Sequence, residues 1–280
     1  MRIISTVKDM QDVARKVKAS GKTIGLVPTM GFLHEGHLSL IRRSKEECGF
    51  SVVSIYVNPA QFGPQEDFGK YPRDFRRDEA ACRKLGVDAI FYPDDNQMYP
   101  PRHLTYVDVP HLGGMLCGKS RPTHFKGVTT IVAKLFNIIE PHRAYFGKKD
   151  YQQCVIIRRM ASDLHFPIDV LLCDTVREPD GLAMSSRNAY LSQGERASAV
   201  IISRALTMAR ELYNGGIRNF TEIDTNMRRA IIAHKGVRID YIAGVDKETL
   251  APKEVLDEGS VILIAAYVGK TRLIDNIELP

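Results

Sequence analysis

Thr23-Ile24-Gly25-Leu26-Val27-Pro28-Thr29-Met30-Gly31-Phe32-Leu33-His34-Glu35-Gly36-His37 is the stretch that decides the fold. Thr23 to Pro28 is an apolar run with no polar alternation, the mark of a strand covered on both faces. A Pro/Gly turn follows, and the pattern predicts a helix that begins around the second histidine. Gly31 and Gly36 let backbone come close to a ligand. Strand, glycine turn and helix in succession are the opening of an α/β unit.

The rest of the first 175 residues repeats that rhythm. Ser51 to Val57, Ala89 to Tyr92, Ala144 to Phe146 and Ile168 to Cys173 read as further buried strands. Between them lie helical patterns at Lys8 to Ser20, His37 to Cys48, Arg73 to Leu85, Val128 to Ile139 and Tyr151 to Leu164. The alternation predicts a Rossmann-like, mostly parallel sheet with helices on both faces. Ligands of such sheets lie beyond the carboxyl ends of the strands. The tail differs. Helical patterns at Gln193 to Tyr213 and Phe220 to His234, split by Asn214-Gly215-Gly216, precede strand-like runs at Arg238 to Val245, Ser260 to Tyr267 and Thr271 to Ile277. The division expected is an α/β domain over 1–175 and a smaller α+β domain over 176–280.

Several function classes fall away on composition. The longest apolar run, Val261 to Val268, is far short of the ~20 residues a membrane span needs. The N-terminus lacks the apolar core of a signal peptide, so a cytoplasmic location is expected. Five cysteines at 48, 82, 117, 154 and 173 include no Cys-x-x-Cys pair, which speaks for reduced packing residues rather than a zinc cluster or disulfide framework. The net charge of +6 is spread in basic pairs such as Arg42-Arg43 and Arg158-Arg159, with acids between. With no aromatic-basic stripe beside them, small anions rather than nucleic acid are the expected partners.

One motif is set aside. Gly113-Gly114-Met115-Leu116-Cys117-Gly118-Lys119-Ser120 fits the letters of a P-loop. A P-loop needs its Lys-Ser to open a long helix facing the phosphates. Here Arg121-Pro122 follows at once, and a residue before proline is pushed out of helical geometry.

Three segments carry chemistry. His34 and His37, three apart, share one face of a first helical turn. Two imidazoles beside the free N–H groups of a helix N-terminus suit phosphate oxygens. Zinc, which prefers His-Glu-x-x-His, and a plain cap remain open readings of the pair. Ala144-Tyr145-Phe146-Gly147-Lys148-Lys149-Asp150 places a lysine at the carboxyl edge of the same sheet, as a point charge for phosphate or a solvated turn residue. Beyond Val176, Gly181-Leu182-Ala183-Met184-Ser185-Ser186-Arg187-Asn188 is a loop of hydroxyls and one arginine, suited to a triphosphate or to a simple linker.

Taken together these segments resemble the nucleotidylyl transferase superfamily, with His34-Glu35-Gly36-His37 as its histidine signature and Met184-Ser185-Ser186-Arg187 as its second phosphate loop. Within it the chain is similar nearly end to end to the pantothenate synthetases, in Pro28-Thr29-Met30-Gly31, Val57-Asn58-Pro59-Ala60-Gln61-Phe62, Tyr71-Pro72-Arg73, Phe146 to Gln153 and Gly181 to Asn188. The resemblance implies an ATP-dependent ligase that joins pantoate to β-alanine through a pantoyl adenylate. It implies that Met30, Gly31, Phe32, Leu33, His34, Glu35, Gly36 and His37 line the ATP site, with His34, His37 and Lys149 catalytic. Gly147, Lys148, Lys149, Asp150, Val176, Met184, Ser185, Ser186 and Arg187 complete that site, and Gln61 and Gln153 bind pantoate. Magnesium on the phosphates and a homodimer are implied in the same way. Some members carry an acidic run after Tyr-Pro-Arg that is associated with the metal. This chain has Asp74-Phe75-Arg76-Arg77-Asp78-Glu79, so Asp78 alone stands as a metal partner and no ligand is assigned. The nearest alternative is a sister adenylyltransferase acting on a phosphorylated substrate.

Overall fold

The structure, a computed structural model, describes residues 1–280 except Gln65 and Lys235. It divides into two compact units. The first holds Met1–Gly114, Gly118–Gly147 and Ile156–Asp174; the second holds Met115–Cys117, Lys148–Val155 and Thr175–Pro280.

The strands of the first unit are β1 (Arg2–Ile4), β2 (Ile24–Thr29), β3 (Phe50–Ile55), β4 (Ala89–Phe91), β5 (Arg143–Gly147) and β6 (Asp169–Cys173). They form one sheet in the order β1-β4-β3-β2-β5-β6, and every neighbouring pair is parallel. Its helices are α1 (Val7–Ala19), α2 (Glu35–Glu47), α3 (Phe75–Lys84) and α4 (His124–Ile139), followed by α5 (Tyr151–Asp163). On one face Val27, Val53, Ile90 and Tyr145 of the strands pack with Leu40 and Ile41 of α2 and Cys82 of α3. On the other, α1 and α4 pack on β2. The parallel sheet with helices on both faces is therefore the architecture read from the strand–helix rhythm.

Two residues of β2 show how the sequence shapes this sheet. A Cβ at Gly25 would lie 2.4 Å from Ser44 Oγ and 2.9 Å from Cys48 Sγ, so the glycine lets α2 sit close on the strand. Pro28 is unusual in a central strand because it has no N–H to give the ladder. Thr23 O and Thr29 O accept from β3 and its continuation, at Phe50 N and Tyr56 N, whereas Ile24 O accepts from His142 N beside β5. By that alternation Pro28 turns its nitrogen toward β5. The β2–β5 pairing ends at Leu26, while β2–β3 pairing runs on to Thr29. Proline thus stops the ladder where the two strands part.

The strand order reverses at β2 and β5: the chain builds outward from β2 to β3 and β4, then returns to β5 and β6. That is the topological switch point, and the crevice beyond Thr29 and Gly147 is where such a sheet binds ligands.

The second unit contains α6 (Gln193–Asn214), α7 (Phe220–Ile232), β7 (Val237–Asp246), β8 (Ser260–Val268) and β9 (Thr271–Glu278). The strands form an antiparallel sheet in the order β7-β8-β9. Ile202, Leu206, Ile223, Met227, Ile262 and Ile264 make its core. Among the described residues no helix is long and apolar enough to cross a membrane.

Three local readings shift. β1, an edge strand of three residues, is not marked by the sequence pattern. α2 begins at Glu35 with His34 as its N-cap, two residues before the expected start. α4 begins at His124 rather than Val128. The P-loop look-alike is a pair of one-turn helices, Pro110–Gly113 and Cys117–Ser120, with no strand leading in. A Cβ at Gly118 would sit 1.7 Å from Gly113 O, so this glycine answers backbone crowding.

Candidate active site

In the first unit the site grows from the carboxyl end of β2. Thr29 Oγ1 donates to Ser54 O at 2.8 Å and accepts from Gly31 N at 3.1 Å, which starts the turn. Gly31 (φ 82°) and Phe32 (φ 51°) both take the left-handed conformation, a strained choice for phenylalanine that must be held by its surroundings. Asp78 supplies the hold. Its Oδ2 accepts from Phe32 N and its Oδ1 from Leu33 N, both at 2.7 Å. A Cβ at Gly31 would stand 2.9 Å from Asp78 Oδ2, so only glycine leaves room for the carboxylate. Burial pushes the Asp78 carboxyl above its ordinary range, and the Leu33 and Phe32 N–H bonds pull it back. The Arg77 guanidinium lies 4.9 Å from the centre of the Phe32 ring on the same loop.

The loop delivers His34 as the N-cap of α2. His34 N donates to His37 Nδ1 at 3.3 Å, and the ring centroids are 4.1 Å apart. Because Nδ1 accepts that bond, a neutral His37 carries its proton on Nε2. Both histidines are half-buried, while Glu35 is exposed and paired with Arg42. The expected shared face of His34 and His37 is present.

Gln61 sits in the same unit. It is 7% exposed, so it is no surface glutamine. Its Nε2 donates to Met30 Sδ at 3.0 Å, and its Oε1 accepts from Asn58 Nδ2 at 3.1 Å. Asn58 Nδ2 also donates to Gly127 O at 3.0 Å, and Asn58 Oδ1 accepts from Tyr99 at 2.7 Å. Asn58 thus braces Gln61, a part the motif reading did not give it, although an asparagine before proline is a standard turn-opening signal.

The turn Pro59–Gln61 packs on α4 at Gly127, where a Cβ would lie 2.3 Å from Ala60 O and 2.5 Å from Gln61 N. Gly127→Ala, which raises helix propensity, is therefore expected to destabilise the protein by about 1–3 kcal/mol. A melting temperature lower by a few degrees checks this; an increase would show that the turn can yield.

Asp78, the one carboxylate the sequence offers as a metal partner, has each oxygen on a backbone N–H of the turn. Among the described residues no cluster of three His, Cys, Asp or Glu could hold a metal ion.

In the second unit, Lys148–Asp150 form a single short helical turn before α5. The two lysines differ. Lys148 Nζ is 2.6 Å from Glu278 Oε2, whereas Lys149 stands 3.5 Å from the carboxylate of its own neighbour, Asp150. Lys149 is thus the cation better placed for a phosphate. Gln152 is buried and structural, accepting from Cys117 N and donating to Met115 O. Gln153 is half-buried.

The segment from Val176 to Arg187 is a built hairpin rather than a linker. Val176 O accepts from Met184 N at 3.0 Å, Glu178 N donates to Leu182 O at 2.8 Å, and Arg177 bridges Ala183. Arg196 pairs with Glu178 and Asp180 at the tip. Ser185 caps the turn Ser186–Tyr190, its Oγ accepting from Arg187 N at 3.3 Å, and Ser186 is buried. Two serines with a following arginine are thus carried on a hydrogen-bonded stem.

A doubly wound sheet with paired histidines at the helix that leaves its switch point has the layout of a nucleotide-handling α/β enzyme. The family model of pantoate–β-alanine ligase matches residues 2–278. The chain is 54% identical over 279 residues to the pantothenate synthetase of Sulfurihydrogenibium sp. (strain YO3AOP1), covering 99% of this chain and 100% of that protein. It is 51% identical over 276 residues to that of Thermotoga petrophila, at 99% of both. Among solved structures, pantothenate synthetase from Thermus thermophilus superposes with a TM-score of 0.95 at 44% identity over the full length of both chains. Pantoate–β-alanine ligase from Francisella tularensis, complexed with β-γ ATP and β-alanine, gives 0.82 at 33% identity over 99% of this chain and 97% of that one. The chain belongs to the pantoate–β-alanine ligase family, as the ordered motifs implied.

Proposed function

We propose that the protein condenses pantoate with β-alanine to form pantothenate, in two steps that consume ATP. The pantoate carboxylate attacks the α-phosphorus, a P–O bond forms, and the bond to the β-phosphate breaks as pyrophosphate leaves. The β-alanine amine then attacks the acyl carbon of the pantoyl adenylate, AMP departs, and the amine loses a proton as the amide forms. A carboxylate is already a nucleophile, so the protein needs no activated serine or cysteine. What remains is positioning and the neutralising of charge on the departing pyrophosphate.

The observation that carries this reading is the His34–His37 pair at the helix N-terminus beyond β2, in a chain of this ligase family. Met30 to Gly36 line the ATP. His37 turns an Nε2–H toward the phosphates, as donor or as proton source. Lys149, Ser185, Ser186 and Arg187 hold the triphosphate, with Lys148, Asp150 and Met184 beside them. Gly147 and Val176 meet the nucleotide through backbone. Gln61 and Gln153 take pantoate, since an amide donates to a carboxylate and accepts from hydroxyls. Magnesium would ride on the ATP phosphates. We place the enzyme in the cytoplasm as a homodimer.

The test is exchange of labelled pyrophosphate into ATP with β-alanine left out. Exchange that requires pantoate is expected. Its failure in folded, ATP-binding protein would redirect the assignment to an adenylyltransferase with another acceptor.

A further inference from the structure

The last strand of the second unit carries two polar residues where an apolar strand would be cheaper. Asp275 is 3% exposed and Asn276 is 6% exposed. Burying a carboxylate and an amide costs free energy unless each finds partners. Their partners are the segments that handle phosphate. Asp275 takes the guanidinium of Arg177 on both oxygens, at 2.6 and 3.0 Å, and Arg177 also donates to Gly181 O at 3.1 Å. Asn276 Nδ2 donates to Lys148 O at 2.8 Å and to Lys149 O at 3.0 Å.

We propose that Asn276 is a positioning residue for Lys149. With Asp275 beside it doing the same for the Val176–Arg187 hairpin through Arg177, one strand sets both phosphate-handling segments of this unit. The inference rests on the reading that Lys149 and the hairpin serve ATP phosphates. The residue type fits the task. Two adjacent carbonyls need a single atom with two hydrogens, which an amide nitrogen supplies and a hydroxyl or carboxylate does not. Fixing those carbonyls fixes the backbone of the Lys148–Asp150 turn, and so the direction in which the Lys149 side chain leaves it. The neighbouring ammonium is kept out of the way, since Lys148 is tied to Glu278 at the end of the same strand. No local pattern announces this device, because its partners lie 128 and 127 residues away in sequence.

The test is a double-mutant cycle between Asn276→Ala and Lys149→Ala, read in steady-state kinetics and pyrophosphate exchange. Asn276→Ala is expected to raise the KM for ATP and lower kcat, each by about tenfold, with the KM values for pantoate and β-alanine unchanged. In the Lys149→Ala background it should add less than about twofold, because the group it positions is gone. Full additivity, or unchanged ATP kinetics in folded Asn276→Ala, overturns the proposal. Normal ATP kinetics in Lys149→Ala itself would instead sink the reading beneath it. Should Asn276→Ala not fold, Asn276→Ser, whose shorter side chain offers a single hydroxyl donor, runs the same cycle.

Discussion

Replacing His37 with alanine is expected to leave the fold in place and slow adenylate formation by on the order of 10²–10³. The structural cost is bounded. The substitution removes one acceptor for His34 N at the start of α2, worth about 0.5–2 kcal/mol as a lost cap. The rest of the loop is held from elsewhere, by Thr29 on Gly31 and by Asp78 on Phe32 and Leu33. The kinetic cost is expected to be larger: in the proposed role the Nε2–H of His37 serves charge that develops only as pyrophosphate leaves, so its loss should appear in kcat more than in the KM for ATP. His37→Gln sharpens the result. Glutamine can donate a hydrogen bond but cannot give up a proton, so partial recovery relative to alanine would assign an electrostatic role and none would assign proton donation. Pyrophosphate exchange at saturating pantoate is the measurement. An unchanged turnover number would take His37 out of the mechanism.

The features that were legible in the sequence are those written in short-range pattern. β2 to β5 are largely buried, and burial of that kind reads as continuous apolar runs; β6, expected to be buried, is an edge strand with only Cys173 buried, and it is legible by its apolar residues all the same. The His34–His37 pair is visible because a helix turn brings residues three apart together. What the pattern hides is long-range. β1 has only three residues, two of them exposed, and nothing in Arg2-Ile3-Ile4 separates an edge strand from a lead-in to α1. The start of α2 is displaced because histidine is a rare N-cap, and its stabilising bond comes from the His37 ring. Asn58, Asp275 and Asn276 look like ordinary polar residues until the fold supplies carbonyls and a guanidinium from distant segments. Pro28 counts against a central strand by rule. It is tolerated because β2 loses its β5 partner just there, which also opens the crevice.

Asp78→Ala is expected to be costly twice over. It strips the acceptors from two adjacent backbone N–H groups, of Phe32 and Leu33. An unsatisfied buried donor costs about 1–3 kcal/mol, so the loop stands to lose roughly 2–6 kcal/mol if it stays in place. It will move instead, since Phe32 is held at φ 51° against its own preference. The first residue to feel that relaxation is His34, one step beyond the second clamped N–H, and His37 follows through its bond to His34. Misplacement of about 1 Å can cost on the order of 10² in rate, which is the loss expected in pyrophosphate exchange, together with a lower melting temperature. Asp78→Asn keeps the shape but offers one acceptor and one donor, so one of the two N–H groups then faces another donor; a comparable loss is expected. The magnesium dependence separates this role from metal binding. If the carboxylate works by clamping the turn, the concentration of magnesium giving half-maximal rate stays where it is, and excess metal restores nothing. A variant rescued by added magnesium would show that the carboxylate serves the ion, and that the loop can keep its conformation without the clamp.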